Sequence, residues 1–138
     1  MSNSNQGGFP KPSQDQLKTI ITNAEGAQTL VECAEGIGKA LANNLKTSQI
    51  RIIFGEVRRI EGDWKTNPQR ANRSLILLKP KMAYQAKRSQ DRKDRGVNDL
   101  VSVLTPAIDC VQSDKDNFSR FVNFFEAILA YHKAHGGN

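Results

Sequence analysis

The chain has 138 residues, with Lys+Arg 20 against Asp+Glu 14, a formal net charge of +6 and a pI of about 9.6. That length suits one domain, and the basic balance favours a polyanionic partner, nucleic acid ahead of a membrane surface, while saying nothing about fold. No apolar run approaches the ~20 residues of a membrane span, Met1–Gln14 lacks the apolar core of a signal peptide, and Cys33 and Cys110 form no CxxC. Membrane, secreted and disulfide-scaffold classes are therefore poor starting points, and a cytoplasmic chain with reduced thiols is expected.

Met1–Ser13 (MSNSNQGGFPKPS) carries too little apolar area to offset its ordering entropy and reads as a disordered tail ahead of a single domain spanning 14–138. Ser13 and Gln16 are spaced as a capping box, and Leu17, Ile20 and Ile21 follow at helical spacing. Leu30, Ala34, Ile37, Leu41 and Leu45 make a second helix, weakened by Gly36 and Gly38 at roughly 1 kcal/mol each. Thr47 or Ser48 can cap a third, whose apolar arc is Ile50, Ile53, Phe54, Val57 and Ile60 and which is expected to end near Glu61–Gly62. Gly62–Pro68 then reads as a loop, with Trp64 folding back on the core.

A fourth pattern runs from Gln69 to Arg88 through Leu75, Leu78, Met82 and Ala86, with Pro80 either kinking it or dividing it in two. Ser89–Gly96 (SQDRKDRG) has no apolar residue and reads as a solvated loop or frayed end. Leu100, Val103, Leu104, Ala107, Ile108 and Val111 form a fifth helix. Asp114 or Asp116 caps the last, built on Phe118, Phe121, Val122, Phe125, Ile128 and Leu129 and stopped by Gly136–Gly137. No stretch alternates long enough for a strand. The fold class is all-α, a small bundle of five or six helices.

At about 100° per residue, Arg51 and Arg58 share one flank of the third helix, while Arg59 points nearly opposite the apolar arc. On the fourth, Arg70, Arg73, Lys81, Tyr84, Lys87 and Arg88 gather on the side away from Leu75, Leu78 and Met82. From Asn67 to Gln90 there is no Asp or Glu, so these cations have no acids interleaved among them. Guanidinium forks suit phosphate oxygens, and a tyrosine can stack or donate a hydrogen bond. An ordinary solvated face is the competing reading, with Tyr84 packing on the neighbouring helix.

Nothing looks catalytic. There is no GxSxG and no GxxxxGK[ST], and GIGKA (Gly36–Ala40) is too short for a phosphate loop, its glycines instead permitting close helix approach. Cys33 and Cys110 read as small buried hydrophobes. His132 and His135 are spaced to chelate a metal, but His132 projects with Phe121, Phe125 and Ile128, which favours a core role, so no metal or other cofactor is expected.

Three pieces, SQIRIIFGEVRRIEG (Ser48–Gly62), LILLKPKMAYQAKR (Leu75–Arg88) and FVNFFEAILAYHKAHGG (Phe121–Gly137), appear in an order that resembles the small subunit of type III-A CRISPR effector complexes, the Csm small-subunit family. The resemblance covers roughly residues 30–137. It implies a non-catalytic helical bundle in an antiviral ribonucleoprotein, lying along the duplex of guide RNA and target RNA. Its neighbours would be the large subunit, the backbone subunit and copies of itself. Carried over by motif, Arg51, Arg58, Lys81 and Arg88 would bind the RNA backbone; Tyr84 lies inside the same motif as Lys81 and Arg88, and Arg59, Arg70, Arg73 and Lys87 join them from the helical wheel alone. Arg92, Lys93 and Arg95 receive no role. Two alternatives differ in kind: a DNA-binding helical regulator, disfavoured by the long Gly62–Pro68 loop, and a metal-dependent nuclease using His132 and His135.

Overall fold

The computed structural model describes residues 8–91 and 95–138. Residues 1–7 of the expected tail, and Arg92 and Lys93, lie outside the described residues. Among the described residues six helices follow in chain order: α1 Gln14–Thr22, α2 Ala27–Leu41, α3 Thr47–Trp64, α4 Pro68–Asp91, α5 Gly96–Asp109 and α6 Lys115–Ala134. Among the described residues there is no strand, and no helix is long and apolar enough to cross a membrane. The fold is an all-α bundle.

Local signals set most helix starts. The Ser13 hydroxyl accepts from the Gln16 amide at 3.1 Å while the Gln16 side chain accepts from the Ser13 amide at 2.8 Å, closing the expected box on α1. Asp114 caps α6, its carboxylate accepting from the Asn117 amide at 2.8 Å. At α3 neither Thr47 nor Ser48 acts as the cap. The helix begins at Thr47, and the Gln49 side chain reaches back to accept from the Lys46 amide at 3.0 Å.

The core centres on α6. It buries Phe118, Phe121, Val122, Phe124, Phe125, Ile128 and His132, a broader arc than a surface helix needs, because α1, α2 and α3 all rest on it. α4 packs against α3 and α5, and α5 returns to α1, which closes the bundle. Arg120 on α6 donates from Nε to the Ile21 carbonyl at 2.7 Å, satisfying the end of α1 from 99 residues away. Gly38 lets α2 approach α6 closely: a Cβ placed there would lie 2.6 Å from Cβ of Tyr131 and 2.7 Å from the His132 nitrogen. Phe9 packs against the same core, and Pro10 lies over Gly36.

Two expected boundaries move. α3 continues through Gly62 to Trp64, because Trp64 stands four residues beyond Ile60 and is 6% exposed, its ring 4.5 Å from that of Phe118 and nearly parallel at 12°. Burying an indole outweighs the ~1 kcal/mol that a mid-helix glycine costs. The loop shrinks to Lys65–Asn67. Pro80 does not divide α4, which runs unbroken from Pro68 to Asp91. Pro80 and Ile76 are both exposed, so the carbonyl left without an amide partner is on the watered side of the helix.

Candidate nucleic-acid interface

α3 and α4 form an antiparallel hairpin whose outer face carries most of the predicted cations. The register is visible in its ion pairs: Lys81 Nζ is 3.9 Å from Glu56, and Arg70 is 3.3 Å from Asp63. Asn67 ends the three-residue turn by accepting from the Arg70 amide at 3.1 Å. A turn this short removes the loop-length objection to a helix-turn-helix regulator.

The cations divide by partnership. Arg58 is 2.9 Å from Glu61 and 3.8 Å from Glu126 on α6, and its guanidinium carbon lies 5.6 Å from the centre of the Phe54 ring. Arg59 is held by Glu56 at 3.1 Å and Asp63 at 3.6 Å, and the hydrogen bond to Glu56 holds its pKa above the usual arginine value. Arg51, Arg73 and Arg88 are exposed and have no acidic partner among the described residues. Lys87 is exposed beside them. Exposed pairs of this kind contribute little to folding, on the order of 0–1 kcal/mol.

Along α4, Arg70, Arg73, Leu77, Lys81, Tyr84 and Arg88 fall within one solvent-facing stripe at helical spacing. Tyr84 does not pack into α3; it is 68% exposed. With Ile52, Glu56, Pro80, Lys81, Gln85 and Arg88 it lines a groove of about 600 Å³ between the two helices. A second hollow of about 590 Å³ at the start of α3 is lined by Lys46, Thr47, Ser48, Arg51, Ile52 and Asn138. Ile52 is the ridge between them and is 58% exposed.

The helical wheel gave Ile52, Leu77 and Lys46 no role. Ile52 could have been noticed: it stands opposite the buried arc of Ile50, Ile53, Val57 and Ile60, where a β-branched apolar residue has no core to enter. Leu77 sits between two buried leucines, Leu75 and Leu78, so its exposure of 46% was masked by the run SLILL.

The two histidines do not converge. His132 is fully buried, with Nε2 2.6 Å from the Leu45 carbonyl. A carbonyl only accepts, so Nε2 carries the proton, and Nδ1 is left without a partner beneath Gly137, which leaves no room there even for a Cβ. His135 sits outside this core with Nε2 4.0 Å from Glu35. No group of three or more His, Cys, Asp or Glu among the described residues is placed to hold a metal ion. The two histidines that the nuclease alternative would use are thus held by different partners, Leu45 and Glu35.

Cys33 is half-buried and Cys110 buried, and both are free thiols. Burial pushes the Cys33 thiol up, with Glu32 adding to the effect; burial also raises Cys110, helped by Asp109 and opposed by Lys18. Little thiolate is then available for attack at neutral pH. The native chain is expected to react with a thiol-directed disulfide reagent far more slowly than the urea-unfolded chain. Equal rates in the two states would contradict this burial.

These features define a small all-α protein with a basic two-helix face and, among the described residues, no assembled metal centre. Residues 24–138 match the family model Csm2 Type III-A. The chain therefore belongs to the Csm2 family, the small subunits of type III-A CRISPR Csm effector complexes. No curated protein and no solved structure was found to match it.

Proposed function

We propose that this subunit binds the phosphate backbone of the guide RNA–target RNA duplex through the outer face of α3 and α4, and catalyses no reaction of its own. The large subunit, the backbone subunit and further copies of this chain are its proposed neighbours. The observation that carries the reading is that Arg51, Arg73 and Arg88 stand exposed on that face with no carboxylate opposite them among the described residues. Arg58, Arg59, Arg70 and Lys81 must exchange a carboxylate for a phosphate, so each contributes less. Backbone contact suits a subunit that serves any guide, because the deep, narrow major groove of an A-form duplex hides its base edges.

The test is a charge-removal series in the assembled complex, with two unrelated guides across a range of salt. Arg51→Ala and Arg88→Ala are each expected to weaken target binding alike for both guides and to flatten the log–log salt dependence by roughly one unit. Arg58→Ala should have a smaller effect, since its charge is already shared with Glu61 and Glu126. Unchanged affinity and slope in fully assembled complexes would reduce these residues to a solvated face. A loss that depended on guide sequence would mean that bases are being read.

A further inference from the structure

Phosphate binding explains the cations of the hairpin but not the apolar surface among them. Ile52 and Tyr84 are among the most exposed large hydrophobic residues described, and both line the one groove with Pro80, Lys81 and Arg88. Lys81 stands one turn before Tyr84 and Arg88 one turn after it, each about 5–6 Å away between Cβ atoms. An intact duplex could satisfy the two cations, but its stacked bases would leave the phenol ring and the Ile52 side chain in water. A strand with one base turned out would cover both. Its flat apolar base would meet the ring, and the phosphates on either side would meet the charges. At about 600 Å³ the groove is within the ~300–1,000 Å³ range of small-ligand sites.

We infer that the α3/α4 groove takes a single unstacked base of an RNA strand, laid on the Tyr84 ring beside Pro80 and Ile52, with Lys81 and Arg88 on the flanking phosphates. The inference rests on the RNA-binding reading above and adds a base contact to it. Stacking tolerates every base, because each has a π-face, so the contact remains compatible with any guide. The tyrosine hydroxyl has no part in it; the ring does.

The test uses the full chain at low salt and a short single-stranded RNA carrying one 2-aminopurine, with the matching duplex as a comparison. Tyr84→Ala should weaken single-strand binding roughly tenfold, within the range found for loss of one stacked base. Duplex binding and the salt slope should hardly change. Tyr84→Phe should bind within twofold of the parent. 2-Aminopurine fluorescence should fall on binding to the parent and to Tyr84→Phe but not to Tyr84→Ala. Because the ring is exposed, far-UV circular dichroism of the variants should match the parent.

If Tyr84→Ala binds and quenches like the parent while Arg88→Ala still lowers affinity and slope, the base contact is wrong and the phosphate reading stands. If Lys81→Ala and Arg88→Ala also change nothing, or the parent binds neither RNA, both readings fall. If Tyr84→Ala leaves RNA binding intact but releases a neighbouring subunit from the assembled complex, the groove is a protein interface and the base is excluded.

Discussion

Trp64→Ala is expected to remove about 3–5 kcal/mol of folding stability, the range for deleting a large buried aromatic side chain. The indole is the last residue of α3, yet it lies flat on Phe118, near the start of α6, and Phe118 continues to Phe121 at 6.3 Å. The stack therefore fixes the far end of the α3/α4 hairpin to the central helix. Urea unfolding followed by circular dichroism measures the loss directly. Trp64→Phe, which keeps a ring but not its full area, should recover part of it. A loss under about 1 kcal/mol would mean that the end of α3 is not docked on α6 in solution. Because Arg59 and Asp63 belong to the same last turns, undocking should also disturb the outer face, and RNA affinity should fall together with stability.

The second large effect is at Gly38. Ala is the better helix former by roughly 1 kcal/mol, so an exposed site in α2 would gain from Gly→Ala. At Gly38 the new methyl would lie 2.6 Å from Cβ of Tyr131, 2.7 Å from the His132 nitrogen and 2.9 Å from the Tyr131 carbonyl carbon. Two of these are backbone atoms, which cannot swing aside, so α2 and α6 must separate. The expected result is a net loss of about 2 kcal/mol or more despite the gain in propensity. Gly36 is the internal control, two residues away on the same helix. Its nearest neighbour would be the Pro10 ring at 3.8 Å, an ordinary contact, and Gly36→Ala should be neutral or stabilising. Thermal melts of the two variants test the packing directly: similar melting temperatures would show that α2 and α6 are not in tight register.

The helices themselves could be read from the chain because caps and apolar spacing agree with the final packing. Ser13 with Gln16, and Asp114, close the ends that their spacing suggests. The failures lie where a distant partner decides. Gly62 looks like a stop until Phe118 is known to wait for Trp64. Pro80 looks like a break until its side of α4 proves to face water. Phe124 stands off the stripe inferred for α6, and it is buried because α6 is surrounded rather than laid against one side.

The candidate site divides in the same way. The exposure of Arg51, Arg73 and Arg88 can be read from the helical wheel, since exposure follows from periodicity. The ties on Arg58 could not be found so: Glu126 is 68 positions away, and only the tertiary fold brings it within 3.8 Å. The groove was also hidden. It needs Ile52 from one helix and Tyr84 from the next, and neither residue belongs to an apolar stripe.

Of the six described helices, the central one is translated after the other five. While the ribosome is still translating, α1, α2 and α3 emerge with the apolar sides that α6 will later cover facing water or a chaperone. The closing contacts, Arg120 to Ile21 and His132 to Leu45, join residues 99 and 87 positions apart, so the bundle cannot be completed in pieces from its start. A growing chain of this design is exposed to mispairing for most of its synthesis.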